Sequence, residues 1–176
     1  MDRYELVLCI SPDELAIRVD ELASEINRDY QGKSLVLVGI LKGAFVFLAD
    51  LSRRLSIPLE IDFVRLASYG NKAETSGEVR VLKDLELSIK GRHVLVVEDI
   101  VDTGITLSWF LKRLLTHHPE SVKICALIDK SERRQVDVPL DYVGINLQHG
   151  FLVGYGLDFA EKHRNLSGIY EVRFIS

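Results

Sequence analysis

Apolar residues recur along this chain in two rhythms, and the alternation between them lays out a fold. Ser34-Leu35-Val36-Leu37-Val38-Gly39-Ile40 and Val94-Leu95-Val96-Val97 are short apolar runs rich in β-branched residues, the composition of parallel strands buried on both faces. Leu59 to Ala67, Ser121 to Ile128, Tyr142 to Asn146 and Ile169 to Phe174 read as further strands, and Val79 to Leu85 as a strand returning from a polar hairpin. Between them the period becomes helical. Ser11-Pro12-Asp13-Glu14 supplies a cap, a proline at the first helical position and the acidic partner of a capping box. Leu15, Val19, Leu22 and Ile26 then share one helical face, and Gly32 closes the segment. Further helices are expected from about Ala44 to Leu55 and from about Leu107 to Leu115, the second stopped by His117-His118-Pro119. Strands alternating with helices, with no internal repeat, predict an α/β protein in which a parallel sheet is flanked by helices.

Composition adds bounds to this picture. A chain of 176 residues is most simply one domain, large enough to bury roughly 70% of its unfolded surface. No apolar run approaches the ~20 residues that span a bilayer, and no export signal is visible at the start of the chain. A net charge of −4 gives no general attraction to nucleic acid or anionic membrane. Cys9 and Cys125 sit in apolar, strand-like contexts without CxxC spacing; both are expected to be buried free thiols, which suits a reducing, cytoplasmic setting. The adjacent His117 and His118 read as surface residues and not as metal ligands.

The candidate chemistry gathers where the Val94 run ends. Glu98 and Asp99 follow it directly, then come Asp102-Thr103-Gly104-Ile105-Thr106 and a helix. Polar groups at the carboxyl end of a buried strand occupy the place where open α/β sheets bind ligands. Backbone N–H groups and two threonine hydroxyls at a helix N-terminus form an anion site, and Gly104 lets the backbone approach what is bound. Three carboxylates beside an anion site are out of place for a bare phosphate. They suit a phosphorylated sugar whose hydroxyls they accept, or a phosphate with Mg²⁺ between, and a phosphoribosyl group meets both conditions. Lys42-Gly43 occupies another strand-to-helix turn on the same edge. Ser68 to Gly77 is a polar stretch with no apolar period, long enough to act as a lid.

Val94 to Thr106 resembles the phosphoribosyl-pyrophosphate (PRPP) signature of type I phosphoribosyltransferases, and nearly the whole chain is similar to the bacterial hypoxanthine phosphoribosyltransferases. The resemblance implies that family's fold: a core of about residues 12–130, and a small hood made from the N-terminal residues together with about 131–176. It implies transfer of the phosphoribosyl group from PRPP to a 6-oxopurine, hypoxanthine and guanine, giving IMP or GMP and pyrophosphate with Mg²⁺ as cofactor. It assigns the ribose hydroxyls to Glu98 and Asp99, and the 5′-phosphate to the backbone from Asp102 to Thr106, including Thr103, Gly104 and Ile105. Pyrophosphate falls to Lys42, Gly43 and Arg164, with a non-proline cis peptide at the Leu41-Lys42-Gly43 turn. Ser68, Tyr69 and Gly70 begin the lid. Lys130, Phe151, Leu152 and Asp158 meet the base, Asp102 is the acid/base at purine N7, and Glu98, Asp99 and Asp158 are the metal ligands. A homodimer or homotetramer is implied as well.

Lys130 is a donor only, so it favours an acceptor at purine O6 and N7 and opposes the amino group of adenine; Phe151 offers a face for stacking. The chain departs from the family pattern at Ser131, where proline is common, at Gly150, where lysine is common, and at Leu152, where valine is usual, all near the base. Two rival readings share the fold: a phosphoribosyltransferase acting on xanthine or a pyrimidine, and an RNA-binding regulator of pyrimidine genes. The second needs a basic face, and the Lys/Arg runs here are as short as Arg53-Arg54 and Arg133-Arg134.

Overall fold

The computed structural model describes residues 3–69 and 78–175. In chain order these form β1 (Tyr4–Ile10), α1 (Pro12–Asp29), β2 (Leu35–Leu41), α2 (Phe45–Ser52), β3 (Leu59–Tyr69), β4 (Glu78–Lys83), β5 (His93–Val101), α3 (Ile105–Leu115), β6 (Ser121–Asp129), a 3₁₀ turn (Ser131–Arg133), β7 (Tyr142–Asn146), β8 (Leu152–Val153) and β9 (Ile169–Phe174). Six strands make one sheet in the order β4-β3-β2-β5-β6-β7. Every neighbouring pair is parallel except the edge hairpin of β3 and β4. The parallel α/β reading is therefore borne out, with one antiparallel edge strand.

The central strands are buried on both faces, as their unbroken apolar runs require. Leu35, Leu37, Leu95 and Val97 pack against the apolar stripe of α1 (Leu15, Val19, Leu22, Ile26) and against α2 (Phe47, Leu48, Leu51). Val36, Val38, Val94 and Val96 face the other way onto Leu107, Phe110 and Leu114 of α3. Each side chain of this size contributes about 1.5–3 kcal/mol on full burial. The chain runs from β2 to β3 on one side of the sheet and from β5 to β6 on the other. A topological switch thus lies between β2 and β5, and the crevice beyond their carboxyl ends is where a ligand fits such a sheet.

Several boundaries differ from the pattern-based expectation. β5 does not end at Val97 but runs to Val101, because Glu98 and Ile100 keep pairing with Ala126 and Ile128 of β6. Helix α3 starts at Ile105, two residues early, since Gly104 at φ +80° provides the left-handed entry. Helix α2 ends at Ser52 and not Leu55. Tyr142–Asn146, in the stretch expected to form the hood, is instead the edge strand of the large sheet, paired in parallel with β6 with Tyr142 buried in the α1-side core. The smaller antiparallel sheet is built from β1, β9 and β8. Cys125 is buried as expected, but Cys9 is exposed, on a strand whose neighbours Leu8 and Glu5 also reach solvent.

One buried charge fastens the hairpin edge. Asp62 of β3 is buried and accepts hydrogen bonds from the backbone N–H of Phe63 (2.7 Å), Glu86 (2.7 Å) and Leu87 (2.8 Å). Lys83 Nζ stands at 3.5 Å. Burial by itself would raise the Asp62 carboxyl, but three backbone donors and the Lys83 charge bring it below its ordinary value. Among the described residues no helix is long and apolar enough to cross a membrane.

Candidate active site

The end of β5 and the start of α3 enclose a cavity of about 170 Å³, lined by Glu98, Ile100, Val101, Asp102, Thr103, Gly104, Thr106 and Leu107. The first N–H groups of a helix have no partner inside it, so α3 directs donors and the positive end of its dipole into this space. Gly104 is required twice over: its φ is +80°, and a Cβ there would lie 2.3 Å from the carbonyl oxygen of Val136. The segment after β6 supports the cradle from behind. Gln135 and Val136 both donate backbone N–H to the Thr103 carbonyl (2.9 and 3.0 Å). Arg134 Nε donates to the Asp102 carbonyl at 2.9 Å and its Nη2 to that of Val101 at 3.2 Å, while pairing with Asp129. Asp102 sits at the lip. Its Oδ2 lies 3.5 Å from Arg133 Nη1, and its Oδ1 is buried without a hydrogen-bond partner among the described residues.

The two adjacent carboxylates of β5 stay in contact: the Asp99 N–H donates to Glu98 Oε1 at 3.2 Å, and the two carboxyl groups share a hydrogen bond. Glu98 lines the cavity. Asp99 turns toward the β2–α2 turn, where a Cβ on Gly43 would fall 1.7 Å from its Oδ2. Only glycine at position 43 leaves room for that carboxylate. Burial pushes Glu98 well above the usual carboxylate range and the Asp99 charge pushes it further; burial raises Asp99 too. Two full negative charges are disfavoured here until a cation or hydroxyl donors compensate them.

The expected cis peptide is present at Leu41-Lys42. The loop after β8 lies directly on this turn: a Cβ at Gly156 would be 2.0 Å from the Gly43 carbonyl oxygen. Arg164 reaches into the same place. Its Nη1 donates to the Gly156 carbonyl at 2.8 Å, its Nη2 pairs with Asp158 Oδ1 at 2.7 Å, and its Nε is buried without a partner among the described residues. Lys42, Gly43 and Arg164 thus converge, along with Asp99.

At the base end, Lys130 Nζ donates to the Gly150 carbonyl at 2.9 Å, which places the ammonium beside Phe151. Phe151 is 49% exposed, as a stacking face must be. Phe159 meets it edge-on (centroids 5.4 Å apart) and is met in turn by Tyr4 (5.4 Å) and Phe174 (5.9 Å). Leu152 is buried in β8, leaving its backbone as the group that can face a base. Ser68 and Tyr69 close β3, paired through their backbone with Val79 and Glu78; Gly70 and the rest of the expected lid lie outside the described residues.

The expected metal set is not assembled by the protein alone. Among the described residues no three His, Cys, Asp or Glu side chains form a group able to hold an ion, and Asp158 is tied to Arg164. The donor chemistry still fits Mg²⁺, which takes one or two carboxylates and completes its shell with water and substrate phosphate.

Sequence reasoning missed Arg134, which reads as part of a solvated charged string, and Glu161 and Gly156, whose partners Lys42 and Gly43 lie more than a hundred positions away. It also missed Phe159; the aromatic spacing from Phe151 to Phe159 was the available signal.

A parallel sheet with a switch-point crevice, an amide cradle after one strand and a cationic turn after its neighbour make an α/β protein suited to a phosphorylated ligand. Residues 11–160 match the family model described as a phosphoribosyl transferase domain, and the chain belongs to the phosphoribosyltransferase family. It is similar to the hypoxanthine phosphoribosyltransferase of Haemophilus influenzae, at 44% identity over 98% of both chains. It is also similar to the hypoxanthine-guanine phosphoribosyltransferase of Bacillus subtilis, at 43% identity over 89% of this chain and 87% of that one. A crystal structure of a hypoxanthine-guanine phosphoribosyltransferase from Bacillus anthracis superposes with a TM-score of 0.91 at 44% identity, covering 97% of this chain and 99% of that chain. The likeness to bacterial enzymes of this kind, read first from Val94–Thr106, is borne out over nearly the full length, and the protein is an enzyme, a transferase.

Proposed function

We propose that this enzyme transfers the phosphoribosyl group of PRPP to hypoxanthine, and to guanine, releasing pyrophosphate and forming IMP or GMP. The relatives' names support the 6-oxopurine. On the chain itself, the observation that carries the reading is Asp102 Oδ1, a buried carboxylate oxygen without a hydrogen-bond partner among the described residues, in the lining of an amide-lined cavity. It is an acceptor that a donor on the bound base would fill.

In this reading the cavity amides and the hydroxyls of Thr103 and Thr106 bind the 5′-phosphate, and Glu98 accepts from the ribose. Asp99 holds the Lys42-Gly43 turn in place under the leaving group. Lys42, Gly43 and Arg164 receive the pyrophosphate as the bond to the sugar breaks and positive charge grows on the ring. Fixing donor, base and turn together supplies most of the acceleration. Asp102 takes the proton at purine N7, the contribution of a general base being about 10²- to 10⁴-fold. Glu98, Asp99 and Asp158 are the carboxylates that would hold Mg²⁺, which would supply positive charge against the phosphates. Lys130 selects an acceptor at O6/N7, Phe151 stacks on the ring, and the backbone at Leu152 and Asp158 accepts from N1–H. The lid beginning at Ser68, Tyr69 and Gly70, a cytoplasmic setting and assembly as a homodimer or homotetramer belong to the same reading.

Asp102→Asn is the direct test. It keeps the shape and removes the base, so kcat falls by about 10² or more while the Kd for PRPP stays within a few-fold. Equal losses in both make Asp102 a scaffold residue and count against the assignment.

A further inference from the structure

Lys42 and Arg164, the cations that receive the leaving group, already hold an anion supplied by the chain. Lys42 Nζ lies 2.7 Å from Glu161 Oε2, and Arg164 Nη2 lies 3.5 Å from the same oxygen. Asp158 Oδ1 pairs with that same Nη2 at 2.7 Å. Both cations therefore already face carboxylates of the chain, Glu161 and Asp158, with Asp99 close to Arg164 as well. Pyrophosphate arriving there meets like charge unless one carboxylate leaves, and at these distances the repulsion is worth avoiding.

The two carboxylates are not equivalent. Asp158 is the more buried, with its side chain 29% exposed, and its Oδ2 accepts the Glu161 backbone N–H at 2.8 Å. The Glu161 side chain is 64% exposed, and it projects from a turn in which Ala160, Glu161 and His163 all take left-handed backbone angles. That turn carries the carboxylate across to Lys42, 119 positions away. Lys42 and then Arg164 hold the Glu161 carboxyl below its ordinary value, so it is ionised at neutral pH. An ion pair this open to water is weak and easily exchanged.

We infer that Glu161 is an internal stand-in for pyrophosphate: its carboxylate neutralises Lys42 and Arg164 before PRPP binds and is displaced from them by the entering phosphates. The inference rests on the pyrophosphate assignment made above and adds to it a competitor carried by the protein. Singly charged anions displace Glu161 poorly, whereas a chelating, multiply charged pyrophosphate does so readily. The pair thus keeps the cationic turn from adventitious anions and sets a threshold of charge for entry.

The test is titration calorimetry of the full chain with inorganic pyrophosphate and Mg²⁺, at low and high salt, on the parent protein, Glu161→Gln and Lys42→Met. Glu161→Gln is expected to bind pyrophosphate about two- to five-fold more tightly at low salt. That gain should shrink at high salt, where the exposed pair is already screened, and the KM for hypoxanthine should not move. Lys42→Met should bind more weakly. If Lys42→Met loses affinity but Glu161→Gln binds no tighter, or more weakly, the stand-in role is overturned and the pyrophosphate assignment stands. If the parent protein does not bind pyrophosphate, or Lys42→Met binds it unchanged, the assignment falls and the inference falls with it.

Discussion

A single hydrogen in place of a methyl group decides how closely β2 and β5 bring their polar ends together. The Asp99 carboxylate occupies the volume a side chain at position 43 would fill, so Gly43→Ala must drive Asp99 or the turn aside. Displacements near an ångström at a reacting centre cost on the order of 10²-fold, and kcat/KM of Gly43→Ala should fall at least that far while the far-ultraviolet circular dichroism is unchanged. In the proposed reading Lys130 acts by polarity instead of space. Lys130→Met is expected to raise the KM for hypoxanthine about 10- to 100-fold, the worth of a hydrogen bond from a charged donor, with the KM for PRPP unmoved. These two residues also mark what a reader of the sequence sees and misses. Lys130 stands at a strand end and invites suspicion from its position alone. The need for glycine at 43 comes from Asp99, which no local pattern connects to it.

At the scale of elements, the helices and buried strands were legible where one physical signal dominated. The stripe of Leu15, Val19, Leu22 and Ile26 and the Ser11 cap placed α1, and Ser11 Oγ does accept the Glu14 N–H at 3.2 Å. The end of β5 was not legible, because Glu98 and Asp99 look like a loop to a hydrophobicity pattern while their backbone continues to pair. Arg134 was hidden for the same reason: its neighbours are charged and exposed, but its guanidinium is turned inward onto three carbonyl and carboxylate oxygens. The Asp62 clamp is another element-scale device. Asp62→Ala strands three backbone donors and should cost about 2–4 kcal/mol in denaturant unfolding. Because the folded carboxyl lies below its ordinary value, the unfolded chain takes up the proton first as pH falls. Its stabilisation is complete above the unfolded carboxylate pKa and fades as pH drops through the lower folded value. Asp62→Asn should therefore show a shallower loss of stability below about pH 4, measured as chemical-denaturation midpoints across that range; an identical acid limb in the variant counts against the clamp.

Across the whole molecule, two sheets divide the work. The large sheet carries the amide cradle and the cationic turn at its switch point, and the small sheet carries Phe151 beside β8. They meet where Gly156 lies on Gly43 and where Glu161 and Arg164 cross to Lys42. The aromatic chain from Tyr4 through Phe159 to Phe151 ties the exposed Phe151 ring, proposed to stack on the base, to the first strand. Phe159→Leu should accordingly raise the KM for hypoxanthine several-fold and leave pyrophosphate affinity unchanged, as steady-state kinetics and calorimetry would register. The broad α/β plan was readable in the order of the runs, whereas the split of residues 131–176 between the two sheets depends on long-range pairing.

The most direct measurement follows pyrophosphate released when the protein is given PRPP and Mg²⁺ with one base at a time. Release with hypoxanthine and with guanine, and little with adenine or xanthine, is the predicted result. Release that prefers adenine or a pyrimidine, or none with any base, contradicts the assignment of Lys130, Phe151 and Asp102 to a 6-oxopurine.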